Sequence, residues 1–364
     1  MKDAPDSFFI SMTSPISFWL KRQVDEQEIV KQKSFLDFAT RLLSVDWTYD
    51  LQTGQSDHLS WALNHPVGST TWALFSKWDL DGADPGSGIP EALRSLFENI
   101  CSLKYDKYEP GRAILCTQAF RFFVTDEDWA RTHVAPLFDW EANPKALGCW
   151  QGYLWSPRAF SPLVDAIKDQ FLETARRYQE LGYGRNFADL LVFLAIDENY
   201  SHLKSELSTA IRALPQEGLE NAIWSAERLL LASGEKKQLE FWKNRLEPFF
   251  TNIWPQSKTA ASPKLGTKFA RLCLASVESF PLAVDCLRDW LELVDEPEYL
   301  ISDLMESGQC KEHPNKALEF LSLLVRTRIR WMKLDFNECL AEIVKESPAL
   351  KRDRRYIRLV DYGA

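Results

Sequence analysis

The sequence predicts an all-α protein, an irregular α-solenoid of stacked helical hairpins. Three observations lead there. Apolar residues recur at spacings of three and four along most of the chain, the period of a helix face. Runs that alternate apolar and polar residues, as a half-buried strand does, are nearly absent. Glycines and prolines punctuate the chain often enough to cut it into roughly 20 segments, if helices average about 12 residues and joints about 6. The consensus spacings of known helical repeats are missing, and no strict period links the segments. An irregular array of helical pairs therefore fits better than a four-helix bundle.

The first fourteen residues read as poorly ordered, and the helical array is expected to span residues 15–254. Pro15 stands ahead of Phe18-Trp19-Leu20, and Ile29, Val30, Phe35, Phe38, Ala39, Leu42 and Leu43 continue with helical spacing. Asp57 is a cap for the short segment HLSWALNHPVG, which Pro66 ends by removing a backbone donor. Ser69 opens a helix with Trp72, Phe75 and Ser76 on one side. Residues 79–88, DLDGADPGSG, combine the residue types that make turns. Pro90 restarts a helix through Leu93, Leu96, Phe97 and Ile100, and residues 111–124 read as one largely buried helix.

The Trp-rich stretch 125–158 is expected at the centre of the core, because Trp129, Trp140, Trp150 and Trp155 need neighbours to bury them. Thr125, followed by three acids, has the form of a helix N-terminus. Asn143-Pro144 repeats that form. Leu147, Trp150, Gln151 and Leu154 share one face of the second helix, which Pro157 ends. A long helix is expected from Ser161, with Leu163, Ile167, Phe171, Ala175, Tyr178 and Leu181 inward and Gly182 as its C-terminal stop. Residues 187–196 read as a buried helix rather than the competing buried parallel strand, since Gly-punctuated β-branched runs are absent elsewhere, and three more helices are expected over 203–214, 219–232 and 235–254. Gly218 and Gly234 mark joints, and Pro248 kinks the third. The polar, proline-flanked stretch 255–264 is a linker candidate. A C-terminal helical subdomain, 265–364, continues the array through 265–277, 280–294, 299–306, 316–327 and 336–344, to a basic end.

The 364 residues suffice for one large or two ordinary domains at about 150 residues each. The 14 Trp and 22 Phe imply an aromatic core, a partner surface, or both. A net charge of -9 argues against non-specific nucleic-acid binding. Seven widely spaced cysteines, mostly in apolar settings, fit buried thiols in a reducing cytoplasm better than a disulfide framework. The N-terminal apolar run is short, acidic in its approach and broken by Pro15, unlike a secretory signal. No run of about 18 apolar residues would span a membrane.

No motif assigns a reaction. Residues 79–84 carry their glycine at the wrong offset for a calcium loop and lack the closing Glu. Gly86-Ser87-Gly88 fits neither a dinucleotide loop, a phosphate loop nor a nucleophile elbow. Cys310 and His313 are half of a zinc set. His58 and His65 read as capping or packing residues. Catalytic, cofactor and metal residues are therefore expected to be absent. The candidates that remain are for contact. Trp155, Arg158 and Arg245 have the residue chemistry of interface anchors. Arg354 and Arg355 sit in the basic segment KRDRRYIR, which reads either as a helix end with cations at its negative pole or as a phosphate-backbone grip.

Several stretches carry a resemblance: LNHPVG at 63–68, GRAIL at 111–115, LFDW at 137–140, WQGYLWSPR at 150–158, FWKNRLEPFF and IWPQSK within 241–258, and ESGQC at 306–310. Together they resemble a bacterial helical domain found at the C-terminal end of large SIR2-like (sirtuin-type) anti-phage defence proteins. The resemblance covers the chain after its first fifteen residues. It implies a C-terminal portion or a stand-alone relative of such a protein, with a SIR2-like effector or a phage protein as partner, while the helical array, the aromatic surplus and the missing catalytic motif point to a non-catalytic scaffold or sensor working by protein contact or self-association. No NAD-binding core is visible, so no catalytic residue carries over. The alternatives are a helical nuclease or hydrolase with dispersed acids, and a nucleic-acid binder using the basic C-terminus.

Overall fold

Helix caps and prolines set the local order of the chain. The computed structural model describes residues 4–27, 29–47, 57–82, 84–256, 262–328 and 333–363, and among them every regular element is helical and none is a strand. By its contacts the chain divides into two units, residues 1–190 and 191–364. The linker candidate at 255–264 falls inside the second unit, and its residues 257–261 lie outside those described.

Unit 1 begins with α1 (Asp6–Ser11), α2 (Thr13–Glu26) and α3 (Phe35–Ser44). Residues 4–14 are thus not the disordered segment expected: Phe9 is buried, and the Arg41 guanidinium lies over its ring. Burial of one phenyl ring orders a segment whose composition alone looked loose. α4 (His58–Asn64) and α5 (Pro66–Asp81) follow. Asp57 caps α4 by accepting from the Ser60 N–H. His65 Nδ1 accepts from the Val67 N–H at 3.1 Å, so α5 starts at Pro66, earlier than Ser69. Next come α6 (Glu91–Cys101), α7 (Glu109–Cys116), α8 (Ala119–Thr125), α9 (Glu127–His133), α10 (Ala146–Trp155), α11 (Ser161–Ile167) and α12 (Phe171–Arg176), and α13 (Gly184–Ile196) begins in this unit.

α7 is the axis of unit 1, with α4, α5 and α10 packed against it. Two glycines make the approach of α10 possible. A Cβ on Gly152 would stand 2.1 Å from the Ala113 carbonyl oxygen, and one on Gly148 would press on His58. α10 is therefore buried nearly all round, where one apolar face was expected. The glycine side carries no apolar atoms for a periodicity reading to detect. Its centre, Trp150, is fully buried, lies edge-on to Phe138, Phe171 and Phe187, and donates its indole N–H to the Phe138 carbonyl at 3.0 Å.

Two expected caps shift. Asp126, not Thr125, caps α9 through the Trp129 N–H, while the Thr125 hydroxyl closes the preceding helix on the Arg121 carbonyl. Asn143 makes a turn instead of a cap. Its side-chain oxygen accepts from the Lys145 N–H, its amide donates to the Leu137 carbonyl, and α10 starts at Ala146. The helix expected from Ser161 to Leu181 is broken after Ile167 and again after Arg176, although its inward residues are all buried.

Unit 2 contains α14 (Lys204–Ala213), α15 (Gln216–Ala232), α16 (Gln238–Phe241), α17 (Pro263–Ala275), α18 (Phe280–Leu291), α19 (Glu298–Glu306), α20 (Gln309–Glu312), α21 (Pro314–Leu324), α22 (Lys333–Glu346) and α23 (Arg354–Gly363). α15 packs on α17, α17 on α18, α18 on α21, and α21 on α22 and α23, the neighbour-to-neighbour packing of a solenoid. Gly218 is no joint; it is buried inside α15, which starts after Pro215. Pro248 does not simply kink its helix. It sits between two π-helical turns, Trp242–Leu246 and Phe249–Ile253. Widening the helix accommodates a proline ring and its missing donor without breaking the rod. These turns feed Phe250 and Trp254 into a second aromatic cluster with Phe269 and Trp290.

Candidate functional site

The helix expected over 111–124 is two helices, and the break between them builds the site. At Thr117 and Gln118 the α-helical ladder gives way to tighter bonds from the Thr117 N–H to the Ile114 carbonyl and from the Gln118 N–H to the Leu115 carbonyl. The Thr117 hydroxyl reinforces the stop by donating to the Ile114 carbonyl at 2.7 Å. α8 then starts anew at Ala119, after Gln118 with φ -114° and ψ 18°. The notch it opens is flanked by α5 and by the end of α10 with the turn after it, and encloses a half-open cleft of about 800 Å³.

The cleft walls are aromatic and cationic. Trp155, at the end of α10, is 46% exposed and meets Trp72 of α5 with ring centres 6.3 Å apart. Arg158 is exposed and lays its guanidinium over Phe120 at 5.2 Å, while Phe160 braces Phe120 edge-on. Tyr153 donates its hydroxyl to the Arg158 carbonyl at 3.1 Å, which ties the turn back to α10. Among the described residues Arg158 has no ion-pair partner. Arg121 of α8 lies 4.2 Å over Trp78, and its Nη2 is 2.9 Å from Asp79 Oδ1, an ion pair that is not aligned as a hydrogen bond. Burial lowers the Arg121 pKa against the opposing effect of Asp79. Asp79 is the one carboxylate among the lining residues, which include no His and no Cys. Gln118 and Ser156 also line the cleft, and their side chains are uncommitted among the described residues.

The expected contact residues separate. Trp155 and Arg158 come together in this cleft. Arg245 is a strap within unit 2, donating to the Ile196 carbonyl at 3.0 Å and pairing with Glu198 at 3.3 Å. Arg355 is engaged by Asp353 at 2.7 Å and by the Asn315 side-chain oxygen at 3.0 Å. Arg354 is exposed on α23, beside the exposed Ile357 and Val360. Arg121 is not singled out by the sequence, Trp72 reads there only as part of a helix face, and Asp79 reads as the first residue of the 79–88 turn, whereas α5 runs through it to Asp81. The one available clue was Thr117-Gln118, two polar residues inside an apolar run.

A second polar cluster lies deeper in unit 1. Glu109 of α7 faces His58 at 3.4 Å and Lys145 at 3.3 Å. Burial pushes its carboxyl up, but contact with His58 and Lys145 outweighs that and draws it below the ordinary range. His65 is held to about 4 by burial, against the pull of Glu109. Gln151, fully buried on α10, accepts from the N–H groups of His58 and Leu59 and so caps α4 from another helix. The cluster joins three helices. Burial also raises Cys101, Cys116, Cys273 and Cys286, the last to about 12. Among the described residues no group of three or more potential ligands gathers for a metal, and no helix is long and apolar enough to cross a membrane.

Comparisons with protein-family models, curated proteins and solved structures find no match. The functional reading therefore stands on the cleft itself.

Proposed function

We propose that this chain is a non-catalytic helical sensor and scaffold. It holds a ligand in the unit 1 cleft without transforming it, and acts through contact with a partner protein or a second copy. The observation that carries this reading is the pairing of Trp155 and Arg158 at an open cleft, residue types that dominate recognition surfaces. The lining supports it further: it offers stacking faces and cations, with Asp79 as its single carboxylate. The outward side of α23, with Ile357 and Val360 among Arg354 and Arg358, supplies a contact surface of mixed apolar and cationic character. The resemblance to the helical part of SIR2-like proteins suggests a SIR2-like effector in bacterial anti-phage defence as the partner.

The test is size-exclusion chromatography with light scattering, run on the chain alone and with a SIR2-like protein. A mass above the 42.0 kDa monomer, or co-elution, lost in an Ile357→Glu, Val360→Glu double variant, is expected. A chain that stays monomeric and alone at every concentration sinks the proposal.

A further inference from the structure

We propose that the unit 1 cleft binds a free 5′-mononucleotide, its base stacked on Trp155 and its phosphate held by Arg158 and Arg121. The inference rests on the reading of this chain as a ligand-holding module and adds the chemistry of the ligand.

The phosphate follows from the two arginines. Among the described residues Arg158 is an unpaired guanidinium, in a chain with 52 acidic and 43 basic residues. It is also held in place, stacked on Phe120 and carried by a turn that Tyr153 anchors. A fixed, unpaired fork of donors is prepared for an anion. Arg121 has an anion already, Asp79, whose side chain is 64% exposed. A ligand carboxylate would compete with that tethered carboxylate on equal charge and at an entropic disadvantage. A phosphate, with about -1.5 to -2 charges and three acceptor oxygens, displaces it. Asp79 is then a placeholder that swings into solvent when the ligand arrives.

The base follows from the aromatic wall. Trp155 keeps nearly half its surface open while its ring meets Trp72 at a centre-to-centre distance of 6.3 Å and an interplanar angle of 60°. Indole faces stack nucleobases with little regard to which base is present. The uncommitted Gln118 amide and Ser156 hydroxyl line the same cleft, where base or ribose edges need hydrogen-bond partners. The volume of about 800 Å³ lies within the range of small-ligand sites. A nucleic-acid strand offers the same base and phosphate, but a chain of net charge -9 repels a continuous phosphate backbone.

Isothermal titration calorimetry of the purified chain at low salt tests this, with AMP and UMP as probes. Adenosine, ribose 5-phosphate and a ten-residue oligothymidylate serve as comparison ligands. The expected result is saturable one-to-one binding of both mononucleotides, with adenosine and ribose 5-phosphate at least about ten-fold weaker. Trp155→Ala and Arg158→Ala should each weaken AMP on the order of ten-fold. Both side chains are exposed, so an unchanged melting temperature verifies folding. Asp79→Asn should tighten AMP by removing the competing carboxylate, which a merely structural Asp79 would not do. No heat with either mononucleotide up to millimolar concentration overturns the proposal, as does binding indifferent to both alanine variants. Tighter binding of the oligothymidylate than of AMP would reassign the site to a strand. If the mononucleotides fail while the partner association above persists, the nucleotide falls and the sensor reading stands.

Discussion

At the residue scale, hydrogen-bond status separates side chains that burial treats alike. Trp150 and Trp242 are both fully buried. The Trp150 N–H reaches the Phe138 carbonyl, whereas the Trp242 N–H has no partner among the described residues. Trp150→Phe should therefore cost about 1–3 kcal/mol more than Trp242→Phe, because it strands a buried carbonyl while the other removes an unsatisfied donor. Denaturant unfolding of the two variants reads the difference, and equal costs would contradict it. His65 gives a pH signature. Its folded pKa near 4 lies below the ordinary 6.5, so between those values the unfolded chain binds more protons. The contribution is complete above about pH 6.5 and fades as pH falls toward 4, by on the order of 3 kcal/mol. His65→Asn, which keeps an acceptor for the Val67 N–H, should flatten that part of the stability profile. An unchanged slope would show that other groups carry it.

At the element scale, the glycines of α10 matter more than its apolar face. Gly152→Ala places a methyl 2.1 Å from a backbone oxygen that cannot rotate away. We expect a loss of about 3 kcal/mol and a visible retreat of α10 from α7. Gly86→Ala meets nothing within 4 Å, but its φ of 71° disfavours a side chain, so about 1–2 kcal/mol is expected there. Thermal melts of both variants rank the two mechanisms, and the reverse order would contradict the close-packing account. Several of the stretches on which the expected resemblance rests have such packing roles. His65 in LNHPVG caps α5, Gly68 in the same run lies against the Ala62 carbonyl, and Gly152 in WQGYLWSPR lies against Ala113. Arg112 in GRAIL is buried and donates to the carbonyls of Ser102 and Tyr105 at the end of α6.

At the scale of the whole molecule, each unit has its own aromatic cluster, around Trp150 in unit 1 and Trp254 in unit 2. Trp150→Ala removes a large buried side chain from the first alone, at a cost of about 3–5 kcal/mol. Hydrogen exchange should then speed up in α7 and α10 while α17 and α18 keep their protection. Equal loss in both units would show one cooperative fold. The helical class and the aromatic core were readable from the sequence. They depend on side chains three and four positions apart and on residue chemistry, both of which are local. The loose reading of the first residues failed because Phe9 finds its burial far along the chain, near Arg41. The 111–124 helix failed because apolar residues flank the break on both sides and only the polar pair Thr117-Gln118 marks it.

By itself, the sequence determined that this chain is helical and that its indoles are mostly core, since helical periodicity and aromatic burial act over one or two turns. Only the tertiary structure decided that Trp72, Asp79, Arg121, Trp155 and Arg158 meet at one cleft. They come from three stretches of chain, and what joins them is a helix break at Thr117-Gln118 and a glycine-backed helix pressed on its neighbour. Those are consequences of packing, which no local period encodes.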